Sequence, residues 1–208
     1  MPTPWIDPSL SLTGRHVRLE PLSLDHIPVL HRAARDPELW RFVPVPFGSP
    51  TPADSLEGME AYVRAALAAR ETGEAHPFVI RTTDGTVAGS TRYYALSPVH
   101  RNLEIGYTWL EPSWWRTPVN SECKLLLLRH AFDVLHCLRV ALRTDARNVR
   151  SRRAIERLGA VQEGILRKHM VLADGHVRDT VYYSLTDAEW PAARHFLESA
   201  LADAAGRV

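Results

Sequence analysis

The sequence predicts an α/β protein, a mixed and mostly antiparallel sheet with helices on both faces. Two Asp-Gly turns, Thr83-Asp84-Gly85-Thr86 and Ala173-Asp174-Gly175-His176, each lie between alternating apolar runs and mark β-hairpins. A strand-like run at Leu103–Leu110 is followed by a helical pattern from Pro118 to His136 and a second strand-like run at Arg139–Thr144. That order is a right-handed parallel strand–helix–strand unit. A chain of 208 residues, 45% apolar and 24% charged, supplies one substantial core.

Residues 1–12 are proline-rich and read as an N-terminal extension without regular structure; residues 13–208 read as a single domain. The run from His16 alternates and predicts a first strand ending at Pro21. Ser23 is a helix cap for Leu24 to Arg35, with Ile27, Leu30 and His31 on one face. Four prolines make Phe42 to Thr51 a loop. Met59, Tyr62, Val63, Ala66 and Leu67 recur at helical spacing within a helix over 52–70. Strands follow at His76–Arg81 and Val87–Ala95. The helix from Pro118 turns Leu125, Leu128, Phe132 and Leu135 to the core. A short basic helix spans Asn148–Leu158 and is closed by Gly159. Strands at Gln162–Val171 and Val177–Leu185 form the second hairpin, and Asp187 opens a last helix.

Several functions are excluded by pattern. The net charge of +1 gives no basic field for nucleic acid. No apolar run approaches the ~20 residues that span a bilayer, and the N-terminus lacks a signal-peptide pattern. Two cysteines, Cys123 and Cys137, suit a reducing compartment, so a cytoplasmic protein without membrane partners is expected. There is no P-loop, no G-x-S-x-G elbow, and no H-E-x-x-H or paired C-x-x-C, so no metal site is expected.

The stretch Asn102–Leu135 carries the chemistry. Thr117 and Pro118 open the helix, and the N–H groups of Val119, Asn120 and Ser121 then point toward the space beyond the strand, where an anion would be held. An ordinary capped core helix reads the same way. Alternation puts Leu103, Ile105 and Tyr107 on one side and Glu104, Gly106 and Thr108 on the other. A carboxylate on a central strand is exposed, paired or functional; Glu104 is a candidate base on the last reading and a salt-bridged residue on the second. Asn148 and Ser151 start the basic helix, whose Arg150, Arg152 and Arg153 suit phosphate or a solvated surface equally. Tyr93, Tyr94, Trp109, Trp114 and Trp115 are candidates to shape an acceptor slot or to fill the core. His169 flanks the second hairpin, within reach of a substrate or simply on the surface.

Together these runs resemble the GCN5-related N-acetyltransferase (GNAT) family, in its RimJ/RimL-like ribosomal-protein branch. The resemblance covers roughly Thr13 to Trp190. It is carried by Leu12-Thr-Gly-Arg-His-Val-Arg-Leu-Glu-Pro-Leu, Leu103-Glu-Ile-Gly-Tyr-Thr-Trp-Leu, Thr117-Pro-Val-Asn-Ser-Glu-Cys-Lys-Leu-Leu-Leu and Thr144-Asp-Ala-Arg-Asn-Val-Arg-Ser. Arg157-Leu-Gly-Ala-Val-Gln-Glu-Gly-Ile-Leu-Arg and Arg178-Asp-Thr-Val-Tyr-Tyr-Ser-Leu complete it.

The resemblance implies a sheet splayed between two parallel strands and a direct transfer from acetyl-CoA to a primary amine. The acceptor would be a peptide N-terminus or a small molecule. Pantetheine would pair with Thr108, Trp109 and Leu110. Arg116, Thr117, Val119, Asn120 and Ser121 would hold the diphosphate, with Asn148, Ser151 and Arg153 from the basic helix. Glu104 would be the base and Ser151 the acid. Tyr93, Tyr94, Trp114 and His169 would meet the acceptor. Two departures stand out. The family's glycine-rich phosphate loop is replaced by Trp115-Arg-Thr-Pro-Val-Asn, and Ile155 stands where many relatives have an acidic tyrosine. The missing glycines motivate an alternative, a CoA-binding module without catalysis. Relatives are often dimeric, and an edge strand at either hairpin would serve a homodimer.

Overall fold

The computed structural model describes residues 4–43, 51–172 and 174–205. The predicted Phe42–Thr51 loop therefore falls largely outside the described residues. Among the described residues eight strands form one sheet: β1 (Leu12–Thr13), β2 (Val17–Pro21), β3 (Ala75–Thr82), β4 (Val87–Ser97), β5 (Asn102–Leu110), β6 (Arg139–Asp145), β7 (Val161–Val171) and β8 (Val177–Thr186). Their order is β1-β2-β3-β4-β5-β6-β8-β7. All neighbours are antiparallel except β5 and β6. That parallel pair holds register only from Asn102↔Arg139 to Glu104↔Ala141. Beyond Glu104 the two strands separate, and the sheet opens into a V.

Helices α1 (Ile27–Ala33) and α2 (Leu56–Glu71) cover one face; α3 (Pro118–Arg129), α4 (Val149–Glu156) and α5 (Trp190–Ala205) belong to the other. Leu30, Met59, Val63 and Ala66 bury the first two against the sheet. Leu125 through Leu128 are all buried because α3 lies between the sheet and α5, which leaves it no solvent stripe. Ile6 is buried with the α3 core and Trp5 packs on it, so residues 4–12 lie against the domain.

The helix expected over Leu24–Arg35 is a 3₁₀ turn at Leu24–His26 followed by α1, and β4 runs two residues past Ala95. Three other boundaries differ from expectation, each for a local reason. The second helix starts at Leu56 because Asp54 Oδ2 takes the Thr51 N–H and Ser55 Oγ caps Gly58 at 3.0 Å. The long helix loses α geometry after Arg129 and continues as a π turn over His130–Val134, with Leu135 N–H donating to the His130 carbonyl at 3.0 Å. The last helix starts at Trp190 because Glu189 Oε2 accepts from both the Thr186 N–H and its hydroxyl, each at 2.8 Å, forming a turn.

Candidate active site

The opening between β5 and β6 is lined as a cleft of about 640 Å³, within the range of small-ligand and cofactor sites. Its geometry begins with a bulge on β5. The β4 register runs Ser90↔Trp109 and then Arg92↔Gly106, so β5 carries one extra residue there. Tyr107 takes a left-handed backbone, φ 50°. The alternation inferred from sequence therefore breaks at Tyr107. Leu103, Ile105 and Leu110 join the α3 core, while Trp109 joins the α1–α2 core. Thr108 leaves the Glu104 face and turns to α3, where Lys124 Nζ lies 2.6 Å from its hydroxyl.

Glu104 keeps the opposite face and is held in a polar cluster. Arg143 Nε from β6 lies 3.3 Å from Glu104 Oε2. The same guanidinium donates to Tyr94 Oη at 2.9 Å and Tyr182 Oη at 2.7 Å. Burial, reinforced by the Glu104 charge, pushes the Tyr94 phenol well above the ordinary tyrosine range. Arg92 is sandwiched between the Tyr107 ring at 3.9 Å and the Tyr62 ring at 5.0 Å. Gly106 allows the crowding, since a Cβ there would come within 2.6 Å of the Tyr94 ring.

At the mouth, the α3 N-terminus and the α4 N-terminus face one another across the cleft. Thr117 caps α3 with its hydroxyl 3.4 Å from Val119 N, and donates to the Trp114 carbonyl at 2.7 Å. Pro118 has no N–H, and helix counting gives the Ser121 N–H to the Thr117 carbonyl. Of the three amides expected to face an anion, Asn120 thus keeps the freest N–H. Arg116 occupies a left-handed position, φ 64°, ordinarily suited to glycine. The backbone of a glycine turn is retained while a cation is added. Trp115 Nε1 donates to Leu110 O at 2.8 Å, and the Arg150 guanidinium stacks 3.6 Å over the Trp115 ring. Asn148 caps α4 by accepting from Ser151 N at 3.0 Å.

The cleft brings together most of the residues singled out from the sequence. Thr108, Trp109, Leu110, Trp114, Arg116 and Thr117 line it, with Asn120, Ser121, Asn148, Ser151, Arg153 and Tyr94. Four take other places. Val119 is buried in the core beneath the α3 cap. Tyr93 is fully buried, its hydroxyl donating to Leu127 O at 2.6 Å. His169 sits on β7, paired with Thr180 Oγ1 at 3.0 Å. Glu104 lies where the strands part, behind Tyr94 and Arg143. Arg150, read from sequence as part of a basic cluster, belongs to the cleft wall, as do Lys124 and Arg143, which the sequence reading does not single out. For Arg143 the signal was present, because arginines alternate with Val140 and Leu142. For Lys124 it was hidden in a leucine-rich helix. Among the described residues no three His, Cys, Asp or Glu side chains are placed to hold a metal ion, and no helix is long and apolar enough to cross a membrane.

Comparisons with known proteins agree with this geometry. A structure from T. thermophilus, described as a "putative acetyltransferase", superposes with a TM-score of 0.83 at 42% identity, covering 95% of this chain and 99% of that one. RimJ from Mycobacterium smegmatis, solved with CoA-disulfide, superposes with a TM-score of 0.80 over 92% of this chain and 95% of that one. At 22% identity that likeness concerns the fold. The protein named "Putative ribosomal N-acetyltransferase YdaF" from Bacillus subtilis is 34% identical over 107 residues, 51% of this chain and 57% of that protein. The chain thus spans about half the length of the curated relatives it matches. The model of the acetyltransferase (GNAT) domain matches residues 16–161, which include β5, its bulge, α3, β6 and α4. With the splayed β5–β6 pair and the two helix N-termini at its mouth, this match establishes that the chain belongs to the GNAT acetyltransferase family.

Proposed function

We propose that this chain transfers an acetyl group from acetyl-CoA to a primary amine, either a peptide N-terminus or a small molecule. The observation that carries the reading is the loss of β5–β6 pairing after Glu104, which exposes the β5 edge along a cleft of about 640 Å³. The donor set fits an elongated anionic thioester. Arg116, Arg150 and Arg153 surround the mouth with the α3 N-terminus, where charge and open N–H groups favour phosphate. Below them, Thr108 through Leu110 offer backbone to an extended amide-bearing arm, with Trp115 already using the Leu110 carbonyl. Acetyl-CoA supplies the activated acyl group.

The chain's own residues do the rest. Tyr94, Tyr107 and Arg143 line the inner end and confine the acceptor there. Glu104 accepts the amine's proton, through water where Tyr94 screens it. Ser151 on the first turn of α4 faces the same cleft and carries a hydroxyl for a hydrogen bond to the leaving group. The name of the YdaF relative favours ribosomal protein N-termini as acceptors.

The test is acetyl transfer from labelled acetyl-CoA to a panel of peptides with varied N-terminal residues and to small amines, beside calorimetry with CoA. Transfer to any member of the panel supports the enzyme. Tight binding with no transfer to any amine supports the non-catalytic module instead.

A further inference from the structure

Lys124 is one of only two lysines among 25 basic residues; the others are arginine. It is 6% exposed and lines the cleft. Its ammonium meets Thr108 Oγ1 at 2.6 Å, and Thr108 meets Thr91 Oγ1 at 2.8 Å. Among the described residues it has no carboxylate partner. Glu122, on the same helix, is committed to the N–H groups of Arg15, His16 and Val17. Its hydrogen-bond partner on β5 is a hydroxyl, Thr108, backed by the Thr91 hydroxyl of β4. Burial lowers its proton affinity, and Cys123 alone opposes that. A cation sequestered without a counter-charge is costly, and the cost is offset when an anion arrives with the ligand.

Acetyl-CoA brings its diphosphate and 3′-phosphate, and amine attack develops further negative charge on the thioester oxygen and then on the departing sulfur. The diphosphate already has Arg116, Arg150, Arg153 and the Asn120 amide at the mouth. Lys124 lies one helical turn deeper than Asn120, about 6 Å along the α3 axis. Leu142 and Ile155 line the same cleft and carry no proton to give; Ser151 lines it with a hydroxyl, a much weaker acid than an ammonium. Arginine holds its charge at any working pH, whereas lysine can release a proton. Of the two buried cations that line the cleft among the described residues, Arg178 and Lys124, the lysine is the type that can do so.

We propose, resting on the acetyl-CoA reading above, that Lys124 is the proton donor to the departing sulfur. The amine nitrogen bonds to the acetyl carbon and the carbon–sulfur bond breaks, leaving its electron pair on sulfur. Lys124 gives one N–H proton to that sulfur and becomes a neutral amine. The proton shed by the attacking amine leaves through Glu104 to solvent, and solvent returns one to Lys124. Thr108 is the positioning residue that holds the ammonium against β5.

The experiment is titration of the CoA thiol in the binary complex, followed by the ultraviolet absorbance of the thiolate, for wild type, Lys124→Met and Thr108→Val. The other charged groups that line the cleft, Glu38, Arg116, Arg143, Arg150, Arg153, Arg157 and Arg178, are unchanged in both variants. In the wild type the bound thiol should ionise about one pH unit lower than in Lys124→Met, a tenfold difference in thiolate fraction. CoA affinity should stay within about threefold while turnover falls about 10²-fold, the scale of a lost general acid. Thr108→Val should move the thiol in the same direction by less. Lys124→Arg should restore the thiol shift without restoring turnover. Identical thiol titration in wild type and Lys124→Met overturns the assignment. Parallel loss of affinity for CoA and desulfo-CoA overturns it too, by sending Lys124 to the diphosphate. Failure of the wild type to bind CoA is seen in calorimetry before any titration and overturns the cleft reading itself.

Discussion

Arg143 Nε lies 3.3 Å from Glu104 Oε2, so the carboxylate proposed as the base shares its place with a guanidinium that also holds Tyr94 and Tyr182. The pair serves catalysis if the guanidinium orients the carboxylate toward the acceptor. Glu104→Gln keeps the shape and removes the proton acceptor. Its turnover should fall about 10²- to 10⁴-fold with CoA affinity within about twofold. The check is steady-state kinetics beside calorimetry. Equal turnover in the two proteins at neutral and at high pH would take Glu104 out of the mechanism.

Arg116 holds a left-handed backbone at the mouth, φ 64°, which L-residues adopt at a cost. Arg116→Gly removes that strain and should stabilise the fold by about 1 kcal/mol. The same change deletes a cation from the phosphate end and should weaken CoA binding about tenfold, or roughly 1.4 kcal/mol. Melting temperature and CoA affinity therefore move in opposite directions. A glycine variant that binds CoA as tightly as wild type would show that the arginine contributes no charge to the ligand.

The run Leu12-Thr-Gly-Arg-His-Val has a structural explanation. Glu122, buried on α3, accepts from Arg15 N at 2.8 Å, His16 N at 2.6 Å and Val17 N at 2.8 Å. A Cβ on Gly14 would overlap that carboxylate, so the turn before β2 needs glycine for close approach. Glu122→Ala leaves three N–H groups without their acceptor and should cost about 2–5 kcal/mol of stability. Gly14→Ala should destabilise in the same direction by less, since the carboxylate can shift. Denaturant midpoints measure both, and an unchanged midpoint in Glu122→Ala would refute the role.

Much of the frame was legible because it rests on periodicity. The Asp-Gly hairpins, the βαβ unit and the buried leucines of α3 follow from patterns that backbone geometry imposes. The bulge was not legible. No glycine marks position 107, so simple alternation carried Thr108 to the wrong face. Lys124 was hidden for a related reason: helical spacing shows which side of α3 packs on the sheet, but not where the sheet parts beneath it. The Glu104–Arg143 pair required the parallel register, which sequence alternation does not specify. The missing phosphate-loop glycines were visible, whereas the survival of a glycine-like backbone under Arg116 could be seen only in the fold.

His76 on β3 gives the fold a dependence on pH. It is buried, its ring lies 4.6 Å from that of Phe78, and its Nε2 has no hydrogen-bond partner among the described residues. Burial, then the charge of Arg70 and the nearby His130, lower its pKa to about 4. Burial also lowers that of His130, which stacks on Tyr93 with ring centroids 5.9 Å apart. In the unfolded chain each imidazole takes up its proton near the ordinary value of about 6.5. Between about pH 6.5 and 4 the unfolded state therefore binds more protons than the folded one, and stability falls as pH falls. The part due to His76 is fully present above about pH 6.5 and is lost by about pH 4, on the order of 3 kcal/mol. His76→Phe removes that titration, so its stability should decline less steeply across the same window. Denaturation curves collected from pH 7 to 4 test this, and parallel slopes for wild type and variant would place the acid sensitivity elsewhere.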